Sequence, residues 1–134
     1  MLTWNADSET ERWMTLALRQ AELAERRGEV PVGAVLVHDG SVLVRSRNAM
    51  VAHHDPTAHA EVEALRKAGR KWGNYRLVGT TLVVTLEPCL MCWMALVHAR
   101  VQRLVFGARD PRNGALSCHG VGDYPERFNH RIEV

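Results

Sequence analysis

The sequence predicts an α/β fold, a three-layer α-β-α sandwich around a central mixed five-stranded sheet. Helical and strand-like periodicities alternate along the chain, an Asp-Gly pair separates two β-branched runs, and 46% of the 134 residues are hydrophobic. Strands that alternate with helices are typical of a sheet covered on both faces. Because the length suits one domain and no repeat or linker divides the chain, we expect a single domain over residues 1–134.

The N-terminal half begins with a predicted helix over residues 8–27. Ser8 and Glu11 fit a capping box, Gly28 suits the position after the last turn, and an apolar face follows at helical spacing: Trp13, Leu16, Ala17, Ala21 and Ala24. The period then changes, which predicts strands over 32–37 and 41–48. Asp39-Gly40 between them indicates a hairpin turn.

The second half contains two further helices and three further strands. We expect a loop over 49–57, a helix over 58–68 ended by Gly69, a strand over 81–85 and a helix over 89–100. After these come a strand over 102–106, a polar connection over 109–122 with room for one helical turn, and a last strand over 129–134.

Composition excludes several classes of protein. No apolar run approaches the roughly 18–20 residues of a membrane span, and the first twelve residues lack a signal-peptide core, so we expect a cytoplasmic protein. Three cysteines without a secretion signal argue against a disulfide framework. The net charge of +2 is too small to indicate a nucleic-acid partner, although 15 of the 17 basic residues are arginine.

Three potential metal ligands stand out by type and spacing: His59, Cys89 and Cys92. The two cysteines are three apart in the first turn of a predicted helix, where the helix dipole favours thiolates. Thiolate and imidazole ligands suit Zn²⁺, and three protein ligands leave the open position of a catalytic site. Glu61, two residues after the histidine, is predicted to take a proton from a zinc-activated water and pass it to a leaving group.

Other interpretations of these residues remain open. A lone C-x-x-C is often a redox pair or half of a structural zinc site, whose fourth ligand could be His53, His54, His98, His119 or His130. The whole pattern is more specific than the C-x-x-C pair alone, since H-A-E is followed after 26 residues by P-C-L-M-C. It is the H-x-E…P-C-x-x-C signature of zinc-dependent nucleobase deaminases.

Several longer stretches carry a closer resemblance. They are E-V-P-V-G-A-V (29–35), H-D-P-T-A-H-A-E (54–61), N-Y-R-L (74–77), T-L-E-P-C-L-M-C (85–92), V-F-G-A-R-D (105–110) and N-H-R-I-E-V (129–134). From residue 10 onward the chain resembles bacterial tRNA-specific adenosine deaminases, in the cytidine/deoxycytidylate deaminase superfamily. The resemblance implies a cytidine deaminase-like sandwich, one Zn²⁺ per chain, a homodimer, and hydrolytic conversion of the wobble adenosine of an arginine tRNA anticodon to inosine.

The resemblance also implies roles for individual residues. His59, Cys89 and Cys92 match the zinc ligands, and Glu61 matches the proton shuttle. The substrate contacts would be Asn48 to the nucleoside, Val30 and Leu86 as apolar walls, the N–H of Ala60 to the base, and Arg109 with Asp110 beside the nucleotide. Core packing is an alternative for the two apolar residues, and a solvated surface pair is one for Arg109 and Asp110.

The chain departs from the family pattern in two places. Trp93 follows the second cysteine, where the family often has a small residue, and it could pack at a dimer interface or against the zinc helix. The family usually continues past N-H-R-x-E-V into a C-terminal helix, whereas this sequence stops at Val134, so we expect the fold without that helix. The alternative functions are a free purine-base deaminase acting on guanine and a catalytically silent zinc-containing RNA-binding subunit.

Overall fold

The structure, a computed structural model, describes residues 8–123 and 130–134. The elements follow the order α1 (Ser8–Arg26), β1 (Gly33–His38), β2 (Ser41–Arg47), α2 (Met50–His53), α3 (Ala60–Trp72), β3 (Thr80–Leu86), α4 (Leu90–Ala99) and β4 (Arg103–Ala108). A single 3-10 turn covers Val121–Asp123. No helix in the described part of the chain combines the length and the apolar character that a membrane span requires.

The sheet is mixed, with the strand order β2-β1-β3-β4. β1 pairs antiparallel with both β2 and β3, and β3 pairs parallel with β4. The β1–β2 hairpin turns at Asp39 and Gly40, which both have positive φ angles (50° and 76°), as a two-residue turn of the primed type requires. The predicted hairpin is therefore confirmed.

Alternate residues of the central strands build two separate cores. Ala34, Leu36, Leu82 and Val84 belong to the larger core beneath α3 and α4. Val35, Val37, Val83 and Val105 belong to a smaller core under α1, together with Met14 and Ala17. Because side chains alternate across a strand, this division confirms the predicted three layers.

Gly33 allows the first helix to approach the sheet closely. A Cβ atom added at this glycine would lie 2.0 Å from the carbonyl oxygen of Ala17 and 2.5 Å from the amide nitrogen of Ala21. The backbones of α1 and β1 are therefore in contact, which leaves the other face of the sheet free for α3 and α4.

The prediction of five strands is wrong for the described residues, where the sheet has four. The expected strand over 129–134 begins at Asn129, which lies outside the described residues. Its described part forms one isolated parallel bridge, between Glu133 and Arg103. Ile132 is buried in the larger core, but only the N–H and carbonyl of Glu133 pair with the edge of β4, through Gln102 and Leu104.

Two other boundaries differ from the predictions. The helix expected to end at Gly69 continues to Trp72 and ends at Gly73, whose φ of 64° and N–H bond to the carbonyl of Gly69 are typical of a helix end. The segment expected as a loop over 49–57 contains the short helix α2. Its amides at Val51 and Ala52 donate to the buried carboxylate of Glu29, an interaction that local sequence does not reveal.

Candidate active site

The beginnings of two helices bring the three predicted ligands together. His59 is the N-cap of α3, Cys89 is the N-cap of α4, and Cys92 is the third residue of α4. Both N-caps have extended backbone angles and neither makes a side-chain capping bond, so their side chains are available for another partner. The ligand atoms of the three residues all lie within 4.8 Å of one another.

The distances within this cluster fit a tetrahedral zinc ion. Nδ1 of His59 lies 3.6 Å from Sγ of Cys89 and 3.5 Å from Sγ of Cys92. A Zn²⁺ ion bound at about 2.3 Å from sulfur and about 2.0 Å from nitrogen holds such a pair roughly 3.5 Å apart. The donor set, two thiolates and one imidazole, is also the chemistry that zinc prefers.

The pKa values of the two cysteines are shifted in opposite directions. A hydrogen bond from Cys92 lowers the pKa of Cys89 to about 5, despite the opposing effect of burial. The same bond raises the pKa of Cys92, and burial raises it further. A cation bound between the two sulfurs would favour the thiolate form of both.

No fourth protein ligand joins the cluster among the described residues, 8–123 and 130–134. The five histidines considered as a possible fourth ligand all lie in these ranges and none belongs to it. Two of them have other partners, since Nδ1 of His53 contacts Glu63 at 2.6 Å and Nε2 of His130 contacts the carbonyl of Val101 at 2.7 Å. Three ligands without a fourth are typical of a catalytic zinc site rather than a structural one.

Glu61 lies in the first turn of α3, two residues after His59, and is 4% exposed. It lines the same cavity as His59 and Cys89 without joining the ligand cluster. Burial raises the pKa of Glu61 to about 7. A carboxyl group with this pKa can both accept and return a proton near neutral pH.

The site opens into a cavity of about 530 Å³. Seven of the residues predicted from the sequence line it: Val30, Asn48, His59, Glu61, Leu86, Cys89 and Asp110. Three do not. Cys92 is buried beneath the other ligands, Ala60 is buried in the first turn of α3, and Arg109 is exposed outside the lining.

The position of the cavity tests whether Val30 and Leu86 are cavity walls or only part of the core. Val30 is 55% exposed, so it is a wall of the cavity and not part of the core. Leu86 is half-buried, and it both packs against the larger core and faces the cavity. Core packing therefore accounts for part of the burial of Leu86 and for none of the position of Val30.

The two groups predicted to contact the base are bonded to each other. Oδ1 of Asn48, which is 4% exposed, accepts a hydrogen bond of 2.7 Å from the N–H of Ala60. The N–H of Asn48 donates in turn to the carbonyl of Val32. In this structure the Ala60 amide therefore orients Asn48, and a contact with a base by either residue stays a prediction.

Asp110 and Arg109 occupy different environments. Oδ1 of Asp110 accepts hydrogen bonds from the amides of Arg112 and Asn113, so this carboxylate shapes its own turn at the rim of the cavity. Arg109 is exposed, which also fits the alternative of a solvated surface pair, so a contact of Arg109 and Asp110 with the nucleotide stays a prediction.

Besides His119, which was considered only as a possible fourth metal ligand, six residues that line the cavity were not singled out from the sequence: Val32, Met50, Glu87, Leu90, Met91 and Asn113. One of them carried a signal. Glu87 places a charge at the end of the apolar strand T-T-L-V-V-T-L, directly before Pro88 and Cys89, and a carboxylate there must find buried partners. The others lie in loops or on a helix whose orientation only the fold establishes.

The structure also places the two residues that the sequence left without a role. Trp93 lies on the buried face of α4, is 4% exposed and belongs to the larger core, so it packs in the interior of the domain. Cys118 is an exposed free thiol, away from the ligand cluster.

Comparison with known proteins agrees with this geometry. The family model for the cytidine and deoxycytidylate deaminase zinc-binding region matches residues 7–108. A tRNA-specific adenosine deaminase of Haemophilus influenzae is 48% identical over 127 residues, which cover 92% of this chain and 72% of that protein.

Two solved structures give the same fold. A structure from a study of A-to-I editing by tRNA deaminases at the wobble position of transfer RNA superposes with a TM-score of 0.88 at 44% identity. The match covers 92% of this chain and 90% of the other. A guanine deaminase from Bacillus subtilis gives a TM-score of 0.72 at 32% identity, covering 89% of this chain and 71% of that enzyme.

Proposed function

This chain belongs to the cytidine and deoxycytidylate deaminase family, and from that premise we propose that it hydrolytically deaminates adenosine to inosine at the wobble position of a tRNA anticodon. The observation that carries the proposal is the buried carboxylate of Glu61, which lines one cavity together with His59 and Cys89 of the cluster that Cys92 completes. The likeness to tRNA-specific adenosine deaminases supports the substrate. Residues 1–134 would form one domain that performs this reaction in the cytoplasm, where tRNA is modified.

His59, Cys89 and Cys92 would hold one Zn²⁺ per chain, since their mutual distances and their chemistry fit that ion. When bound with three protein ligands, zinc supplies a Lewis acid with an open position and lowers the pKa of water from about 15.7 to roughly 7. The remaining steps belong to the protein's own residues.

Glu61 would move the protons of the reaction. Its carboxylate takes a proton from the attacking water and gives it to the ring nitrogen beside the amino-bearing carbon of adenine. It then takes the second proton from the same oxygen, which is now bonded to the ring carbon, and gives it to the amino group, so that the carbon–nitrogen bond breaks, one water is consumed and one ammonia leaves. Burial of Glu61 keeps its pKa near 7, which suits both transfers.

The walls of the cavity would hold the base once it leaves the stack of the anticodon loop. Val30 and Leu86 provide apolar surface, and Asn48 provides an amide next to them. Arg109 and Asp110 lie at or near the rim, where the neighbouring nucleotides would pass. Ala60 would act through the hydrogen bond that orients Asn48.

A free guanine deaminase is the second candidate, because a guanine deaminase shares the fold at 32% identity. Two substrates distinguish the candidates: an anticodon stem-loop with adenosine at the wobble position, and free guanine. We expect inosine in the RNA and no ammonia from guanine. Ammonia from guanine without inosine in the RNA would overturn the proposal, and a protein that binds the RNA and zinc but converts neither substrate would be a silent subunit.

The proposal has two further parts: the chain forms a homodimer, and its substrate is an arginine tRNA. An open groove of about 740 Å³ lies between α3 and α4, away from the candidate site, and its lining includes Val62, Leu65, Tyr75 and Ala95. Tyr75 is 69% exposed, so a second copy of the chain would cover apolar surface there. Light scattering tests the dimer, and the rates on stem-loops with arginine and other anticodons test the tRNA.

A further inference from the structure

A second buried carboxylate lies next to the candidate metal site, and the proposed reaction does not use it. Glu87 directly follows β3, directly precedes Pro88, and is 2% exposed. Its Oε2 accepts hydrogen bonds from the amides of Leu116 at 2.9 Å and Ser117 at 2.8 Å. Its Oε1 accepts from the amide of Asp110 at 3.1 Å and from the hydroxyl of Ser117 at 2.5 Å.

These bonds hold both ends of the segment 110–117, which has no strand or helix of its own. Two backbone contacts reinforce them, because the amide of Ala115 donates to the carbonyl of Pro88 and Gly114 forms an isolated bridge with Cys89. A Cβ atom at Gly114 would lie 2.1 Å from Oε2 of Glu87. The segment is therefore wrapped closely around one carboxylate.

The segment 110–117 forms one side of the cavity. Asp110 and Asn113 line the cavity, while the candidate metal ligands lie on α3 and α4. Glu87 is bonded to the segment and joined through Pro88 to the helix that carries Cys89 and Cys92. The carboxylate thus connects the side of the cavity that receives the nucleotide with the side that holds the metal.

We propose that Glu87 is a positioning residue that fixes the segment 110–117 against the metal-bearing helix and thereby determines how tightly the substrate RNA is held. This inference rests on the proposed function, and it deepens that function by assigning a residue to RNA recognition. Glu87 acts through Asp110 and Asn113 and is not a catalytic residue. A carboxylate suits this position because it only accepts hydrogen bonds, and all four of its partners are donors.

The variant Glu87→Gln tests the role with little change in shape. Its amide nitrogen must face one pair of donors, so at least one amide of the segment loses its acceptor. We expect KM for the anticodon stem-loop to rise roughly tenfold or more, while kcat falls much less and the zinc content is retained. Glu22→Gln, an exposed glutamate on α1, is the matched control and should keep both constants.

Amide hydrogen exchange gives a measurement that does not depend on turnover. In Glu87→Gln the amides that lose their acceptor, either that of Asp110 or those of Leu116 and Ser117, should exchange faster, while those of α3 should not change. Ser117→Ala should produce a smaller shift in the same direction, because it removes only the hydroxyl bond.

The outcomes separate this inference from the proposed function. If the wild-type protein is active but its Glu87→Gln variant keeps the KM, or keeps the exchange rates of Asp110, Leu116 and Ser117 together, the positioning role alone is overturned. A variant whose kcat and zinc content fall while its KM rises also overturns the positioning role, because Glu87 would then support the metal site. A wild-type protein that leaves the stem-loop unchanged contradicts the proposed function, and the exchange rates then decide whether Glu87 orders the segment.

Discussion

Oδ1 of Asn48 lies 2.7 Å from the backbone nitrogen of Ala60 and accepts a hydrogen bond from it. Asn48 directly follows β2, and Ala60 is the first residue of α3, directly after the candidate ligand His59. The bond therefore connects the sheet to the helix end that presents the imidazole. Four predictions follow from this and similar relationships in and around the site.

Asn48→Ala should destabilise the protein by about 1–3 kcal/mol, because it leaves a buried amide at the start of α3 without its acceptor. Urea unfolding of the zinc-loaded protein measures the change. Asn113→Ala, at an exposed position on the rim of the cavity, is the control and should alter the free energy of unfolding by much less. Equal effects for the two variants would show that the Asn48–Ala60 bond does not stabilise this region.

Glu61→Gln should lower kcat by about 10²–10⁴-fold, because the amide cannot accept and return a proton. The side chain keeps its size, and it lies outside the ligand cluster, so the zinc content should not change. Single-turnover assays together with elemental analysis check both expectations. A variant that retains wild-type turnover would show that another group moves the protons.

Cys89→Ala should abolish stoichiometric zinc and lower the melting temperature, since a metal that binds only the folded state stabilises it. The chain offers a matched control in Cys118, an exposed free thiol outside the ligand cluster. Cys118→Ala should keep both the metal and the melting temperature. Loss of zinc in the Cys118 variant would contradict the assignment of the three ligands.

Glu29 should make the stability depend on pH in the acidic range. Hydrogen bonds from the amides of Val51 and Ala52 hold the pKa of Glu29 below its ordinary value of about 4.5. Because the shift is downward, the ionised carboxylate stabilises the fold above about pH 4.5, and this contribution is lost as the pH falls through the folded-state pKa.

The test compares the free energy of unfolding of the wild type and of Glu29→Gln at several pH values. The difference between the two free energies of unfolding should be largest near neutral pH and should decrease as the solution becomes acidic. Glu22→Gln, which changes an exposed glutamate, serves as the control. A difference for Glu29→Gln that stays constant across the acidic range would show that the bonds to α2 do not require the charge.

Much of the fold and of the metal cluster could be predicted because short-range patterns carry them. The Asp39-Gly40 turn follows from the positive φ angles that those residues tolerate. The spacing of Cys89 and Cys92 places both thiols in one helical turn. In each case the residues that determine the geometry are neighbours in the chain.

The errors of prediction lie where distant contacts compete with local signals. Gly69 has the residue type of a helix end, but the helix continues because Trp72, one turn later, still packs against the larger core, and Gly73 then ends the helix. The last segment has the composition of a strand, yet of its described residues only Glu133 pairs with the edge of β4.

The sequence by itself determined the ligand types, the carboxylate beside them and the alternation of helices and strands, because these depend on residue identity and local spacing. Only the tertiary structure decided that Asn48 accepts a hydrogen bond from the amide of Ala60 and that Val30 faces a cavity. The same holds for the hydrogen bonds that Glu87 accepts from the segment 110–117. These contacts join residues 12 to 30 positions apart. Their formation depends on how the sheet and helices pack. Burial removes water as a hydrogen-bond partner, so a buried carboxylate or amide must bond to another part of the protein, and only the fold determines which part.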